Sequence, residues 1–399
     1  MSQTNTTQAP WSPLYFLSSL GAGGLIVTFF MFLLFWVPHP DQAIPVFEDI
    51  LAAFTSGTIM MKTGIIIATS GILFFAIRHF QLLAWNFSHY RQWKADGGLS
   101  ALEGSNAHTQ MLAIPLTLAM SINAGFMLGA VFVPQLWSVV EMLFPLAMAG
   151  FLALGVWALK LYLHFFSQML SEKKFQVTAN ASLAQLLPGF AFAMITVGLS
   201  APAAMSHNHI TVGVSIVLAG FFFIPAVFIT LLKLIIGIGH MLEHGANRAA
   251  LPTLWVGIPI LTTLTIAALR LDHGLSHTLG LSESTTPLMF LTIMFSAQLF
   301  LILLGAAVMK RMGYIRSVLK GEEQTPVVFA LICPGVSISI MMHFLINKGL
   351  VAAGLVTKFG IAYWSFTALA IIVQLLSIWL LMRLTRKMIC KACPLPSLA

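Results

Sequence analysis

Long apolar runs alternate with short polar stretches along the whole chain. Ten of the runs approach the ~20 helical residues needed to cross a hydrocarbon core of ~30 Å, at 12–37, 57–88, 108–133, 136–168, 181–204, 210–241, 251–270, 286–312, 326–347 and 357–388. The pattern predicts ten transmembrane helices in an all-α protein. Each even run carries a basic residue near its end, at Arg78, Lys160, Lys233, Lys310 and Arg383, spaced 82, 73, 77 and 73 residues apart. Four odd runs carry a proline, Pro115, Pro188, Pro259 and Pro334, spaced 73, 71 and 75 apart. A fixed period of this length is the mark of a repeated supersecondary unit. The chain therefore reads as five copies of one helical hairpin.

Odd and even runs differ in chemistry. The odd ones hold no Asp, Glu, Lys or Arg, with Arg270 assigned to the loop after the seventh. They hold small and polar residues instead, such as Gly21, Gly23 and Gly24 in the first, Ser121 and Asn123 in the third, and Thr262, Thr263 and Thr265 in the seventh. Even runs are longer and more uniformly greasy. Proline inside a helix removes a donor and crowds the preceding turn, and in lipid such a break is tolerated where it faces protein or a water-filled cavity. The prolines thus predict kinked inner helices around a common axis, with the even helices as an outer scaffold.

Composition agrees with this reading. A hydrophobic fraction of 58%, a mean hydropathy of +0.92 and 8% charged residues lie far from a soluble domain, where about a quarter of residues are charged. The net charge of +8 follows topology and does not point to nucleic acid. With the N-terminus inside, cytoplasmic segments hold Arg91, Lys94, Lys173, Lys174, Arg248, Lys310, Arg311, Arg316, Lys320, Arg383, Arg386, Lys387 and Lys391, and the opposite loops hold Arg270, Lys348 and Lys358. That bias predicts a multi-pass inner (plasma) membrane protein with both termini cytoplasmic. Residues 1–399 form a single transmembrane domain, with 1–11 a cytoplasmic N-terminal segment and 389–399 a cytoplasmic tail. No Lys or Arg occurs in the first eleven residues, so the first run is not a secretory signal. The recurring cations snorkel to headgroups, and as a cytoplasmic basic ring they would also favour an entering anion.

Five hairpins, kinked inner helices and an outer ring resemble the tellurite-resistance/dicarboxylate transporter (TDT) family, which includes the plant slow anion channels and a fungal sulfite exporter. Pro13-Leu14-Tyr15-Phe16 followed by Leu20-Gly21-Ala22-Gly23-Gly24-Leu25 is similar to the family's opening segment. Leu251-Pro252-Thr253-Leu254-Trp255-Val256-Gly257-Ile258-Pro259 is similar to its Leu-Trp, Gly-Pro segment. The resemblance implies a quasi-five-fold arrangement, a central pore in each subunit and a homotrimer. In that family a phenylalanine before the ninth-helix proline blocks the pore; the matching residue here is Cys333, which is too small to plug it alone. The other residues preceding prolines are Ile114, Leu187 and Ile258, with Ser18 in the first run. Together they would form an apolar constriction that gates by dewetting. Phe190, Phe192, Phe329 and Phe344 are candidates for a substitute plug.

Ser337 lies four residues after Cys333, Thr262 four after Ile258, and Ser121 seven after Ile114, which keeps these hydroxyls near one helix face. With Thr265 they would line the path beyond the constriction. No carboxylate occupies an odd run, so the usual attractor of cations is missing. The expected function is an anion channel or exporter, moving small inorganic anions, sulfur oxyanions, tellurite or dicarboxylates, with no cofactor, metal or catalytic centre. Two alternatives stand beside it. One is a membrane anchor binding haem or quinone through His79, His89 and His164. The other is a receptor or assembly protein that keeps a transporter fold. The pairs His240/His244 and His273/His277 are too few for zinc. Cys390/Cys393 reads as incidental thiols, and His343 as a satisfied polar residue or a pH-sensitive lining one.

Overall fold

The computed structural model describes residues 11–40, 42–172, 181–281 and 286–389. Residues 1–10 and the tail from 390 lie outside them, as do Lys173, Lys174, Lys391, Cys390 and Cys393. The described chain is helical throughout, without strands. Ten of its helices are long and apolar enough to cross a membrane: Pro13–Trp36, Ile59–Ala95, Asn106–Phe132, Leu136–Ser171, Ala184–Met205, His209–His244, Arg248–Thr278, Leu288–Arg311, Pro326–Val351 and Ile361–Met388. All ten coincide with the predicted runs to within a few residues, except that the second runs on to Ala95 and the seventh to Thr278. In the seventh and ninth spans the extra length is a π-helical turn, at Gly274–Thr278 and Leu345–Val351.

Burial separates odd spans from even. In an 18-residue apolar stretch of each odd span 56–94% of residues are buried, against 17–33% in the even ones. Side chains such as Phe221, Ile224 and Phe228 in the sixth span, or Leu369, Ile372 and Leu376 in the tenth, lie outward and exposed, as suits a surface solvated by lipid. The first span packs against the third and the ninth, the third against the fifth, the fifth against the seventh, and the seventh against the ninth. Each odd span also packs against the even span that follows it.

Every odd span opens with a 3₁₀ segment, at Pro13–Tyr15, Asn106–Leu112, Ala184–Leu186, Arg248–Trp255 and Pro326–Leu331. The α-helical parts then begin at Phe16, Ala113, Leu187, Gly257 and Ile332. This corrects the expectation of mid-helix kinks. Pro115, Pro259 and Pro334 are the third residue of their α-segments and Pro188 the second, so each missing N–H falls among the first-turn donors that have no intrahelical partner anyway. The prolines mark a 3₁₀-to-α junction. Among the described residues the prolines in the interior of an α-helix are Pro145 and Pro225, on the even spans.

Loops at the two faces are pinned by polar contacts. Where the odd spans end, Glu141 accepts from Ser206 Oγ at 2.6 Å and from the His207 N–H at 2.7 Å. Gly274 lies against backbone there: a Cβ on it would meet the Ala203 carbonyl oxygen at 2.6 Å. Gly274→Ala is therefore expected to destabilise the protein by about 1–3 kcal/mol, the usual cost of overpacking, seen as a lower unfolding midpoint of the detergent-solubilised chain.

At the opposite face Arg248 donates to the Met312 carbonyl and to Ser317 Oγ at 2.7 Å, and pairs with Glu323 at 3.2 Å. Its guanidinium lies over the fully buried Tyr314 ring. Burial, and next the Glu323 charge, push the Tyr314 phenol well above its ordinary 10.0. A raised folded-state pKa contributes stability that is intact below the unfolded value and is lost as pH climbs past it. Wild type is thus expected to lose stability faster than Tyr314→Phe above pH ~10, by up to about 1.4 kcal/mol per pH unit, measurable as unfolding midpoints across pH 9–12.

Candidate functional site: a cavity between the odd spans

One cavity of about 100 Å³ is lined by all five odd spans. Each contributes one face, stepping by three or four residues as a helix requires. Leu20, Met120, Phe190, Pro259 and Cys333 begin the linings. A turn further along come Gly24, Asn123, Met194, Thr262 with Thr263, and Val336 with Ser337. Val27, Met127, Val197, Ile266 and Ile340 follow, and Arg270 lies one turn beyond Ile266. From Pro259 to Arg270 the seventh span rises about 16 Å at 1.5 Å per residue.

Contacts between neighbouring spans hold this geometry. Asn123 Nδ2 donates to Met194 Sδ at 3.6 Å, linking the third span to the fifth. Thr262 Oγ1 accepts from Gln298 Nε2 at 2.6 Å and approaches the Ser337 carbonyl at 3.4 Å. The first span comes so close to the ninth that a Cβ on Gly24 would meet Val336 at 2.9 Å.

Arg270 is the main departure from the sequence reading. It is not in a loop: it belongs to the helix Gly257–His273, and it lines the cavity. Its Nη1 donates to the Val197 carbonyl at 2.7 Å. A guanidinium has five N–H donors, and no other hydrogen bond and no ion pair of Arg270 occurs among the described residues. The cavity lining contains no Asp or Glu. Arg270, Asn123 and Met127 also line a second cavity, of about 50 Å³, whose other walls include Phe126, Phe144, Phe151 and Met205. The inner surface therefore holds one fixed cation, where hydroxyls without a charge were expected.

The predicted constriction residues do not converge. Cys333 lines the cavity, but Ile114, Leu187 and Ile258 are buried in helix packing away from it, and Ser18 donates to the Tyr15 carbonyl at 2.7 Å. Successive residues on a helix point about 100° apart, so Pro259 facing the cavity turns Ile258 away. Among the predicted polar residues Thr262 and Ser337 line it, whereas Thr265 donates to the Leu261 carbonyl. Ser121 bonds His79 Nε2 at 2.8 Å. Of the candidate aromatics only Phe190 lines it. Phe192 packs on Tyr162 and Phe222, Phe329 on Tyr15, and Phe344 on Phe35.

The five recurring basic residues form no ring at the cavity, since none of them lines it. Lys160 and Lys310 are exposed, Lys233 is buried, and Arg78 donates to Gln81 Oε1 at 3.1 Å. Arg383 donates to the Leu319 carbonyl and lies over the Trp379 ring. They lie apart from it, on the even spans.

The histidines are dispersed. His79 places Nδ1 on the Ser19 carbonyl at 2.8 Å and Nε2 on Ser121, which leaves no ring nitrogen for a haem iron. His89 stacks on Trp85, and His164 lies beside His108. His273 stacks on His277 and His244 bonds the His240 carbonyl, but no group of three potential metal ligands occurs among the described residues. His343 is neither satisfied nor lining. It is fully buried between Phe32 and Phe35, with neither ring nitrogen hydrogen-bonded.

Compared with known proteins, the chain matches no family model and no curated sequence.

Proposed function

We propose that this protein is an anion exporter or channel whose path is the cavity between the odd spans. The observation that carries the reading is that all five odd spans line one cavity and that its single charged side chain is the cation Arg270. In a low-dielectric wall an unpaired positive charge attracts anions and repels cations far more strongly than it would in water. A wholly apolar tunnel would offer no such preference.

In this account the five helix pairs are hairpins in quasi-five-fold order, the odd spans surround a pore and the even spans are the scaffold against lipid. The resemblance to the TDT family supports that arrangement, and with it a homotrimer carrying one pore per subunit. The excess of Lys and Arg on one face supports an inner (plasma) membrane protein with cytoplasmic termini. The mostly apolar end around Leu20, Phe190, Pro259 and Cys333 is the gate. A fixed guanidinium on the cavity wall holds an anion long enough to slow its release, so Arg270 favours exporter-like turnover over fast conduction. Histidine placement offers haem no ligand pair, which leaves the receptor or assembly reading as the contrasting one.

The test is anion efflux from proteoliposomes loaded with chloride, nitrate, sulfite, a short monocarboxylate or a dicarboxylate. Flux of at least one above empty liposomes is expected. Absence of flux for all of them would replace this reading with the receptor or assembly one.

A further inference from the structure

We propose that Arg270 and the second cavity together bind a short organic monocarboxylate, the carboxylate on the guanidinium and the apolar tail in the side chamber. The proposal rests on the reading of the central cavity as an anion path, and it names the anion's class.

Three features lead to it. First, Arg270 belongs to both cavities, so an anion held there has access to either. Second, the bond from Nη1 to the Val197 carbonyl fixes the orientation of the planar fork and leaves its remaining donors for a ligand. Such a fork matches two oxygens of one carboxylate, which a spherical halide does not offer. Third, the walls of the side chamber are apolar. Phe126, Phe144, Phe151 and Met205 surround it, and the only polar side chains on it are Arg270 and Asn123.

Size and charge narrow the class. A chamber of about 50 Å³ has room for roughly four waters, and so for a short alkyl chain. With a single cation present, a dicarboxylate would leave its second charge against phenyl rings, where an unpaired ion is strongly disfavoured. Chloride would leave the chamber unfilled. A ligand with one charged head and a few methylenes satisfies both the guanidinium and the apolar walls. Most small-molecule sites share this character, predominantly apolar with a few fixed polar groups.

Calorimetric titration of the full chain in nanodiscs with acetate, propionate, butyrate, succinate and chloride tests this. Affinity is expected to rise about fourfold per added methylene from acetate to butyrate, with succinate and chloride weaker than butyrate. Arg270→Gln is expected to weaken butyrate at least about tenfold, and Arg270→Lys, which keeps the charge without the fork, to recover part of it. Ala147→Leu, which fills the side chamber, is expected to weaken butyrate while leaving acetate unchanged. Equal affinity for acetate and butyrate in the wild-type chain would overturn the proposal without recourse to any variant, as would undiminished butyrate binding in Arg270→Gln. Butyrate binding of the expected form without flux of any anion would remove the transport reading and leave this site standing. Flux of inorganic anions with no butyrate binding would do the reverse.

Discussion

Arg270→Gln is expected to lower anion efflux from proteoliposomes at least about tenfold at subsaturating anion. Hydrogen bonds to a charged group contribute about 1.5–3 kcal/mol, which corresponds to roughly ten- to a hundredfold in occupancy of the site. Glutamine is two atoms shorter and gives up the bond to the Val197 carbonyl, but that carbonyl still accepts from Ser200 Oγ at 3.0 Å, so the local helix contact survives. The cation is half-buried, with no carboxylate partner on the cavity wall, and a partly desolvated charge without a partner costs stability. The variant is therefore expected to unfold at the same temperature or a higher one while transporting less. A structural role for Arg270 would give the opposite combination, a less stable protein. Unchanged flux with intact folding would show that the cation is not on the path.

Cys333→Phe is expected to close the path, and Cys333→Ala to leave flux within about twofold, since removing a small thiol leaves backbone and packing in place. Cys333 lines the cavity in the first layer, across from Leu20, Phe190 and Pro259. A phenyl ring there projects into the apolar part of the cavity. Part of its bulk is accommodated by the cavity itself, so the stability cost is expected at the lower end of the ~1–3 kcal/mol typical of overpacking. Efflux measured on the two variants in parallel distinguishes a blocked path from a damaged protein, because Ala and Phe differ in volume but not in polarity. If both leave flux unchanged, the ninth span does not form the gate.

Much of this architecture is written in the hydrophobic pattern. A span facing lipid needs apolar residues all round, whereas a span in the interior can carry glycine, serine and threonine. That contrast separated odd from even spans, and the burial difference between them follows the same division. Side-chain direction inside the odd spans is not legible in this way. The 3₁₀ segment before each helix resets its rotation, so one offset from proline faces the cavity at Cys333 and packing at Ile258. For the same reason four phenylalanines were equivalent in the sequence, and Phe190 alone reaches the cavity.

Arg270 was missed because an apolar run ends, by composition, at its first charge. The helix itself continues to His273 and through a π-helical turn to Thr278, which keeps Arg270 on the cavity face one turn after Ile266. A signal was present: Thr262, Thr263 and Ile266 lie eight, seven and four residues before it, a spacing that puts a guanidinium on the polar face of the same helix. The basic residues near the even-span ends, by contrast, stood out as a repeat yet lie apart from both cavities. The recurring cations lie on the outer, exposed helices, and the charged residue that falls outside their pattern is the one that lines the cavity.

The most direct test of the cavity as the path uses its native thiol. In a Cys390→Ser/Cys393→Ser background Cys333 is the sole remaining cysteine of three, and a small anionic methanethiosulfonate reagent can be added to proteoliposomes during efflux. Mixed-disulfide formation at Cys333, verified by mass, is predicted to stop anion flux, with the Cys333→Ala version unaffected by the same treatment. Complete modification of Cys333 with flux undiminished would contradict the account.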